Sequence, residues 1–345
     1  MKNGKKGITA SILGASGYSG AMAFRILLRH PHVDLENVFA SSGAGQHVHD
    51  LFPALRGLTN KCYEDYSEEK VENSDIIFLA LPAEHAMDIV PGLLKSGKRV
   101  IDLSGDFRLK DVDLYSQYYG ATHRAIDLVA DACYGLPEIN RSSIASADLL
   151  SNPGCYPTSA IIPLAPLLKN GLIETDDICI SSLSGVTGAG RKTTIDYSFA
   201  EVDGSVKAYR VGDHQHIPEI ESILSDYSQK SVKVSFVPHL LPTVSGIYST
   251  IFVRPKGEFR REAIEEVYRL AYGEEPFVRY HGTEIPQLKG VLGSNFIDFG
   301  WKYDAHSGKL ILFSAIDNLI KGAAGQAVQN MNIMCGFQEK EGLIV

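Results

Sequence analysis

The fold is decided by the stretch Ile8-Thr-Ala-Ser-Ile-Leu13 and by the loop that follows it, Gly14-Ala-Ser-Gly17-Tyr-Ser-Gly20. The apolar run predicts a buried strand, and the segment 20–30 carries apolar residues at helical spacing. Glycines spaced G-x-x-G-x-x-G between a strand and a helix are a variant of the dinucleotide-binding fingerprint. They permit a tight turn and let a pyrophosphate approach the first amides of the helix. The stretch therefore predicts a Rossmann-type fold, with a purely structural turn as the alternative.

Beyond this loop, apolar runs and amphipathic segments alternate as far as position 103. The run at 76–81 is almost wholly apolar, which is typical of a parallel strand buried on both faces. A helix is predicted from 83 to a stop at Gly97. Further strands are predicted at 35–40 and 100–103. This order indicates a doubly wound parallel sheet with helices on both faces.

The pattern changes near Cys155. A helix at 158–170 precedes runs rich in strand-forming residues, which indicate an α+β domain with a mostly antiparallel sheet. An Ala-rich helix predicted at 318–334 could return to the first domain. Strands are predicted at 178–183, 232–237, 247–253, 277–280, 296–301 and 310–316. We therefore expect an α/β protein with a nucleotide-binding domain at 1–154, completed by a C-terminal helix within 318–345, and a catalytic and oligomerisation domain at 155–317.

Composition narrows the class of protein. The 345 residues carry a net charge of −8 and no stretch rich in Lys or Arg, which argues against nucleic acid or an anionic membrane as a partner. No window approaches the ~20 apolar residues that span a bilayer, and the apolar run Ile8–Leu13 that follows the short basic N-terminus is too brief for a signal peptide. Five scattered cysteines without a C-x-x-C pair make a disulfide framework or a thiolate zinc site improbable. The sequence indicates a cytoplasmic protein with reduced thiols.

The end of the second strand indicates which dinucleotide binds. NAD-binding proteins commonly place a carboxylate there for the ribose 2′-hydroxyl, whereas this strand ends in Ala40-Ser41-Ser42. Neutral hydroxyls tolerate a 2′-phosphate, so NADP is favoured; the alternative is that both serines only cap a turn. The predicted cofactor-binding residues in the first domain are Gly14, Ser16, Gly17, Tyr18, Ser19, Gly20, Ser41, Ser42, Leu81 and Pro82.

Cys155 is the candidate nucleophile. It stands in Ser151-Asn-Pro-Gly-Cys155-Tyr-Pro-Thr158, immediately before an apolar helix, and Pro157 suits the first helical turn. A cysteine at the positive end of a helix has a lowered thiol pKa and supplies a thiolate. The other cysteines lack this setting, so we interpret them as buried structural residues.

A candidate base follows in Asp213-His214-Gln215-His216-Ile-Pro-Glu219. In an extended segment both histidines point to one side, and either could exchange a proton with Cys155 while Glu219 fixes the imidazole. The pair could instead bind a metal, but no cluster supplies a third ligand, so no metal is predicted. A purely structural pair is the remaining alternative.

Two loops carry candidate anion-binding groups. Ser184-Gly-Val-Thr-Gly-Ala-Gly-Arg191-Lys192 combines backbone amides with two cations, which suits a phosphate or a reacting carbonyl. Ser104-Gly-Asp-Phe-Arg108 follows a predicted strand at the end where α/β sheets bind ligands. Arg108 is therefore a candidate clamp for a substrate carboxylate.

These motifs resemble those of the N-acetyl-γ-glutamyl-phosphate reductase family of arginine biosynthesis. The resemblance also includes Pro238-His-Leu-Leu-Pro242 and Asp317-Asn-Leu-Ile-Lys-Gly-Ala-Ala-Gly-Gln326, and it covers nearly the whole chain in the family's order. After Pro242 the family commonly has Met and then Arg before a Gly, whereas this chain has Thr243-Val-Ser245-Gly246.

The resemblance implies a semialdehyde dehydrogenase that reduces N-acetyl-γ-glutamyl phosphate with NADPH through a Cys155 thioester. It further implies that His216 is the acid/base residue, that Glu219 and His214 support it, and that Arg108 holds the substrate carboxylate. It also implies a homodimer or homotetramer that pairs through the sheet of the second domain. By the same resemblance the substrate contacts include Ser184, Gly185 and Tyr209, and the cofactor contacts include Gly188 and Asn318.

Two other hypotheses remain open at this stage. A sibling enzyme could act on another acyl phosphate: aspartyl phosphate, N-succinylglutamyl phosphate or a carrier-linked aminoadipyl phosphate. A non-catalytic NADP-binding regulator would keep the fold without the chemistry, although Cys155, both histidines and Arg108 together argue against it.

Overall fold

The computed structural model describes residues 7–191 and 194–343. The chain forms two compact units, Met1–Pro153 with Ala323–Val345 (unit 1) and Gly154–Gly322 (unit 2).

Unit 1 contains a six-stranded sheet in which every neighbouring pair is parallel. The order β2-β1-β3-β4-β6-β5 confirms the predicted doubly wound α/β sheet. The last two strands of this unit, β5 and β6, were not among those predicted, because they are only two and three residues long. The strands are β1 Ile8–Leu13, β2 Val33–Phe39, β3 Ile76–Leu79, β4 Arg99–Asp102, β5 Cys133–Tyr134 and β6 Leu149–Ser151.

Helices cover both faces of this sheet. Helix α3 buries Met87, Val90 and Leu93 in a cluster with Leu79 and Val100 of the strands. It ends before Gly97, whose φ of 74° confirms the predicted left-handed stop. The helices are α1 Tyr18–Leu27, α2 Val48–Leu51, α3 Ala86–Lys95, α4 Val112–Tyr119, α5 Ile126–Val129 and α6 Pro137–Ala145.

The chain turns to opposite sides of β1, since β2 lies on one side of it and β3 on the other. Ligands of open α/β sheets bind at the carboxyl ends of the strands at such a switch point. Gly14 lies there with a φ of 81°, and a Cβ on it would overlap the Ala80 carbonyl oxygen. A Cβ on Gly20 would overlap the Gly14 oxygen. The glycine spacing is therefore required for close backbone packing as well as for the turn.

Unit 2 is built on a seven-stranded sheet of order β11-β12-β13-β10-β7-β9-β8. The β11–β12 and β7–β9 pairs are parallel and the other four pairs are antiparallel, so the predicted mostly antiparallel sheet is confirmed. Its strands are β7 Ile173–Gly185, β8 Lys207–Ala208, β9 Val234–Leu241, β10 Ile247–Pro255, β11 Val278–Tyr280, β12 Ile297–Asp304 and β13 Lys309–Ile316. Its helices are α7 Cys155–Lys169, α8 Phe199–Val202, α9 His216–Ser228 and α10 Arg261–Tyr272.

Helix α7 is joined to the sheet by buried hydroxyls. The Ser249 hydroxyl lies 2.8 Å from that of Ser159 and 2.7 Å from that of Ser182. Ser314 donates to the Ser159 carbonyl at 2.7 Å. This serine ladder fixes α7 on one face of the sheet through three strands.

The end of the chain differs from the prediction of one helix. A π-helical turn at Ile320–Ala324 precedes α11, which spans Gly325–Met334 and not 318–345. The Asp317 carboxylate caps this turn by accepting hydrogen bonds from the amides of Leu319 and Ile320. The α-helix begins later because the Gly322 amide donates to the Asp317 carbonyl five residues back, which is the π-helical pairing. Helix α11 packs on α1 and α6 of unit 1.

We expect Gly14→Ala to destabilise unit 1 by at least about 2 kcal/mol more than Gly57→Ala, as measured by denaturant unfolding. Both glycines have a φ near 80°, but nothing lies within 4 Å of a Cβ on Gly57. The pair therefore separates the backbone overlap at Gly14 from the common cost of a left-handed alanine. Equal destabilisation of the two variants would contradict the overlap.

Candidate active site

Cys155 is the first residue of α7, three positions earlier than the predicted start of the helix. Gly154 is the N-cap in an extended conformation. The sulfur is half-buried and in no disulfide. The first amides of a helix are unpaired within it and carry partial positive charge. Cys155 thus has the electrostatic setting that was predicted for the nucleophile.

The backbone before Cys155 is held by a buried carboxylate. Glu219 lies in the first turn of α9, fully buried, and its Oε1 accepts the Gly154 amide at 2.8 Å. The sequence had suggested a role for Glu219 only in orienting an imidazole. The contact with Gly154 is an additional one, and it joins the starts of α7 and α9.

His216 is the first residue of α9 and is buried. A Cβ on Gly154 would overlap its Nε2, so the imidazole lies directly against the residue before Cys155. The prediction of an extended segment through both histidines is wrong, because the helix begins at His216. Their rings are nevertheless adjacent, with centroids 4.7 Å apart.

His214 has a different hydrogen-bonding role. Its Nδ1 accepts the His216 amide at 3.1 Å, which leaves the proton of a neutral ring on Nε2. Burial, with a smaller contribution from the Arg210 charge, lowers the pKa of His214 to about 3. His214 is therefore neutral at physiological pH and orients the start of α9.

Two tyrosines stand beside the histidines. The Tyr156 and Tyr209 hydroxyls lie 2.9 Å apart, and the Tyr156 ring meets both imidazoles edge-on, at 5.6 Å from His214 and 5.8 Å from His216. Burial raises the pKa of both tyrosines. Their hydroxyls are therefore protonated at neutral pH and can donate hydrogen bonds.

The glycine-rich loop after β7 is held by a second loop. The Gly185 amide donates to the Gly246 carbonyl at 2.9 Å, and a Cβ on Gly185 would come within 2.7 Å of the Ser245 backbone. Asn318 accepts the Gly246 amide at 2.6 Å and donates to Thr187 at 3.1 Å. Here Asn318, predicted to bind the cofactor, connects the two loops.

Other residues that the sequence analysis singled out lie in or next to this loop. Ser184 is buried, its hydroxyl donates to the Gly185 carbonyl at 3.0 Å, and it lies 2.9 Å from a Cβ placed on Gly188. Arg191 is exposed, and Lys192 lies outside the described residues.

Gly322 is a residue of the site whose packing role the sequence reasoning missed. A Cβ there would lie 2.8 Å from the Cys155 Cβ, so only glycine allows the π-helical turn to approach the nucleophile. Its place in the Lys-Gly-Ala-Ala-Gly run was the available signal.

The predicted cofactor residues of unit 1 gather at the carboxyl end of its sheet. Ser16 and Gly17 precede α1, and Tyr18, Ser19 and Gly20 form its first turn, which no described side chain caps. Leu81 and Pro82 follow β3, and Leu81 lies 3.3 Å from a Cβ placed on Gly14. Ser41 and Ser42 are exposed just beyond β2. The uncapped helix start fits a pyrophosphate.

Arg108 lies at the same edge. Its Nε donates to the Asn152 carbonyl at 2.9 Å and its Nη2 to the Leu103 carbonyl at 3.3 Å. The guanidinium thus connects the residue after β4 with the residue after β6.

The described residues, 7–191 and 194–343, contain no group of three or more His, Cys, Asp or Glu side chains that could hold a metal. None of their helices has the length and apolar character of a membrane span. The four other cysteines are unpaired but not buried, contrary to the prediction; Cys179 is exposed. It alternates with Ile178 and Ile180 along β7 and lies on the opposite face of the sheet.

Comparisons with known proteins identify the family of the chain. Two family models match: "Semialdehyde dehydrogenase, NAD binding domain" at residues 9–147 and "Semialdehyde dehydrogenase, dimerisation domain" at residues 155–318. The N-acetyl-gamma-glutamyl-phosphate reductase of Pelotomaculum thermopropionicum is 48% identical over 97% of both chains. That of Geotalea daltonii is 47% identical over 97% of this chain and 98% of its own.

Solved structures share the fold at lower identity. Aspartate semialdehyde dehydrogenase II of Vibrio cholerae superposes with a TM-score of 0.73 at 16% identity, covering 96% of this chain and 98% of its own. The Candida albicans enzyme, solved with NADP, gives 0.71 at 17% identity, covering 95% and 98%. With relatives of such high identity over the full length, the chain belongs to the N-acetyl-gamma-glutamyl-phosphate reductase family of semialdehyde dehydrogenases.

Proposed function

We propose that this chain reduces N-acetyl-γ-glutamyl phosphate to N-acetylglutamate 5-semialdehyde, with NADPH as reductant and release of phosphate, in arginine biosynthesis. The observation that carries the proposal is Cys155 at the start of α7, with its preceding residue held by Glu219 and packed against His216. Relatives of 44–48% identity that bear the reductase name support the substrate. A reducing cytoplasm suits the mechanism because Cys155 must be a free thiol.

The first step forms a thioester. His216 takes the proton of the Cys155 thiol, and the thiolate attacks the carbonyl carbon of the acyl phosphate. The carbon–sulfur bond forms as the bond between that carbon and the phosphate oxygen breaks, so phosphate leaves with the bonding electrons. Amides at the start of α7 stabilise the oxyanion.

The second step returns the free thiolate. NADPH, when bound, supplies the hydride that reduces the thioester carbon. Unit 1 would hold it with the Gly14 loop and the uncapped start of α1, and Ser41 and Ser42 leave the 2′-phosphate without a repelling carboxylate. Hydride addition leaves an oxyanion on that carbon. Its carbonyl re-forms as the carbon–sulfur bond breaks, so Cys155 leaves as a thiolate and the aldehyde is released. The proton that His216 took from the thiol leaves with the phosphate of the first step.

The hydrogen bonds assign different roles to the two histidines. His214 uses Nδ1 to accept a backbone amide and resists protonation, so it cannot carry a proton near neutral pH. His216 lies against Gly154 and is the proton carrier. Tyr209 and Arg108 would contact the substrate. The Arg108 guanidinium would bind the carboxylate of the substrate.

We expect the purified protein to oxidise N-acetylglutamate semialdehyde in the presence of phosphate, followed by NADPH appearance. Cys155→Ser should lower kcat by at least about a thousandfold, because a neutral hydroxyl is a far weaker nucleophile. Cys179→Ser is the control, since that thiol lies on the opposite face of the sheet. Full activity of Cys155→Ser would refute the proposal that the reaction passes through a thioester on Cys155.

The same assay with N-succinyl, aspartate and aminoadipate analogues tests the acyl group. Efficient turnover of one analogue without turnover of the N-acetyl compound would refute the proposed substrate and leave the thioester mechanism intact. Absence of turnover with all four compounds would refute the proposal that the protein is a semialdehyde dehydrogenase.

A second prediction concerns pH. The folded pKa of His214 is about 3, below the unfolded value of 6.5, so unfolding takes up a proton between these values. The stability due to the neutral ring is thus complete above pH 6.5 and decreases as pH falls towards 3. His214→Gln keeps an acceptor for the His216 amide and removes this titration. Urea unfolding at pH 7 and pH 5 measures the free energy of unfolding. This free energy should decrease less between pH 7 and pH 5 for His214→Gln than for the parent protein, and an equal decrease would contradict the lowered pKa of His214.

We also propose that the protein forms a homodimer through the open face of the unit 2 sheet. Along β10, Ile247, Ser249, Ile251 and Val253 are buried on the α7 side, whereas alternate residues on the other side are half-buried or exposed. This open face carries the apolar residues Leu183, Tyr248, Phe252, Ile311 and Phe313. Contiguous apolar residues on an open face mark interfaces. A second copy of the chain fits this face because the family model that matches here is a dimerisation domain.

Phe252→Glu should weaken self-association by at least about a hundredfold, since it places a charge on a face that meets its own copy. Sedimentation velocity across a dilution series measures this. Phe199→Glu is the control, because Phe199 is 82% exposed and lies outside the sheet. A monomeric parent protein, or an unchanged association constant for Phe252→Glu, would refute the proposed face.

A further inference from the structure

Asp106 is a fully buried carboxylate to which no role has been given above. It accepts hydrogen bonds from the amides of Glu84 at 2.8 Å and Ala86 at 3.1 Å, and from the Tyr115 hydroxyl at 2.8 Å. Three donors converge on one side chain, all within unit 1. The carboxylate lies on the turn after β4, but both amides belong to the segment after β3. Asp106 therefore joins the ends of two neighbouring strands.

The segment that it binds, Pro82–Ala86, has an unusual backbone. Glu84 has a φ of 76°, the left-handed region that non-glycine residues seldom adopt. The N-cap of α3 is His85, in a helical conformation and without a side-chain cap of its own. The cap is supplied instead by Asp106, from twenty positions along the chain. The carboxylate therefore stabilises a conformation that the local sequence does not favour.

Asp106 is itself held firmly. Its amide donates to the Ser104 hydroxyl at 3.2 Å, and its carbonyl lies 2.9 Å from Nε2 of His123. The other ring nitrogen of His123 accepts the Ala125 amide, so a neutral imidazole donates from Nε2. Burial lowers the pKa of His123, which keeps the ring in that neutral form. The turn therefore holds Asp106 in one position, and its carboxylate in turn holds Pro82–Ala86.

That segment continues directly from the residues that pack on the glycine loop. The Ala80 carbonyl occupies the space of a Cβ on Gly14, and Leu81 lies beside it. Any shift of Pro82–Ala86 is therefore carried to the carboxyl ends of β1 and β3, where the dinucleotide is proposed to bind.

We propose that Asp106 is a positioning residue for the cofactor: it sets the conformation of Pro82–Ala86 and thereby one wall of the dinucleotide site. This inference rests on the proposed function, since it requires that unit 1 bind a nicotinamide dinucleotide. Arg108 lies two residues further along the same turn. The turn after β4 therefore links the substrate clamp with the cofactor wall.

The test is Asp106→Asn in the full-length protein, with Tyr115→Phe as the matched control. The carboxamide cannot accept from both amides, whereas Tyr115→Phe removes a donor to the same carboxylate and leaves both amide contacts. NADPH affinity is measured by the increase in cofactor fluorescence on binding. We expect Asp106→Asn to raise the Kd about tenfold and Tyr115→Phe to change it less than twofold.

Two further readouts separate positioning from a general loss of structure. The amides of Glu84 and Ala86 should exchange hydrogen faster in Asp106→Asn than in the parent protein and the control. The rate at which iodoacetamide alkylates Cys155, which belongs to unit 2, should be unchanged. Should Asp106→Asn not fold, the double variant Asp106→Asn/Glu84→Gly is compared with the single variant Glu84→Gly, in which glycine adopts a φ of 76° freely and only the carboxylate differs.

An unchanged Kd for NADPH in folded Asp106→Asn, with faster exchange at Glu84 and Ala86, would overturn the inference and leave the proposed function intact. An equal rise in Kd for both variants would also overturn it, because the effect would then follow stability alone. Failure of the parent protein to bind NADPH would instead refute the proposed function, and this inference with it.

Discussion

The hydrogen bond between the Glu219 carboxylate and the Gly154 amide is the constraint on which the site depends. It neutralises part of the unsatisfied start of α7 from within the protein and directs the remaining amides and the Cys155 sulfur towards a ligand. The same carboxylate lies in the first turn of α9, so it also benefits from that helix dipole. One buried group thus fixes the nucleophile's helix and the helix that carries His216.

Glycines surround this point for steric reasons. Gly154 leaves room for the His216 imidazole, Gly322 for the Cys155 side chain and Gly185 for the Ser245 backbone. In the sequence such residues suggest turns and phosphate loops, and some of them do form turns. Their common property in the structure is the absence of a Cβ where two chain segments meet. At Gly154 and Gly322 the neighbouring segments leave no space for a side chain beside Cys155 and the residue before it.

Sequence reasoning predicted most of the architecture and the position of Cys155 at the start of a helix. Long apolar runs identified β1, β3 and β10, since burial on one or both faces leaves a clear pattern. The segment 214–216 was misjudged because two histidines spaced by one residue look extended, while Pro218 and Glu219 favour a helix start. The π-helical turn could not be foreseen, because it depends on contacts of Asp317 and on the approach of Gly322 to Cys155. Cys179 was taken as buried because a lone cysteine usually is, and only the sheet's unpacked side shows otherwise.

The serine ladder under α7 has a consequence for how such enzymes diverge. Alkyl side chains pack at many offsets, so a helix held by them can slide gradually as its residues change. Hydroxyls at 2.7–2.8 Å from their partners have no such intermediate positions, because a small displacement leaves a buried oxygen unpaired. The register of α7 is therefore discrete, and sequence drift elsewhere in the sheet leaves the height of the nucleophile unchanged. Moving the start of α7 along the sheet would therefore require the replacement of several serines together.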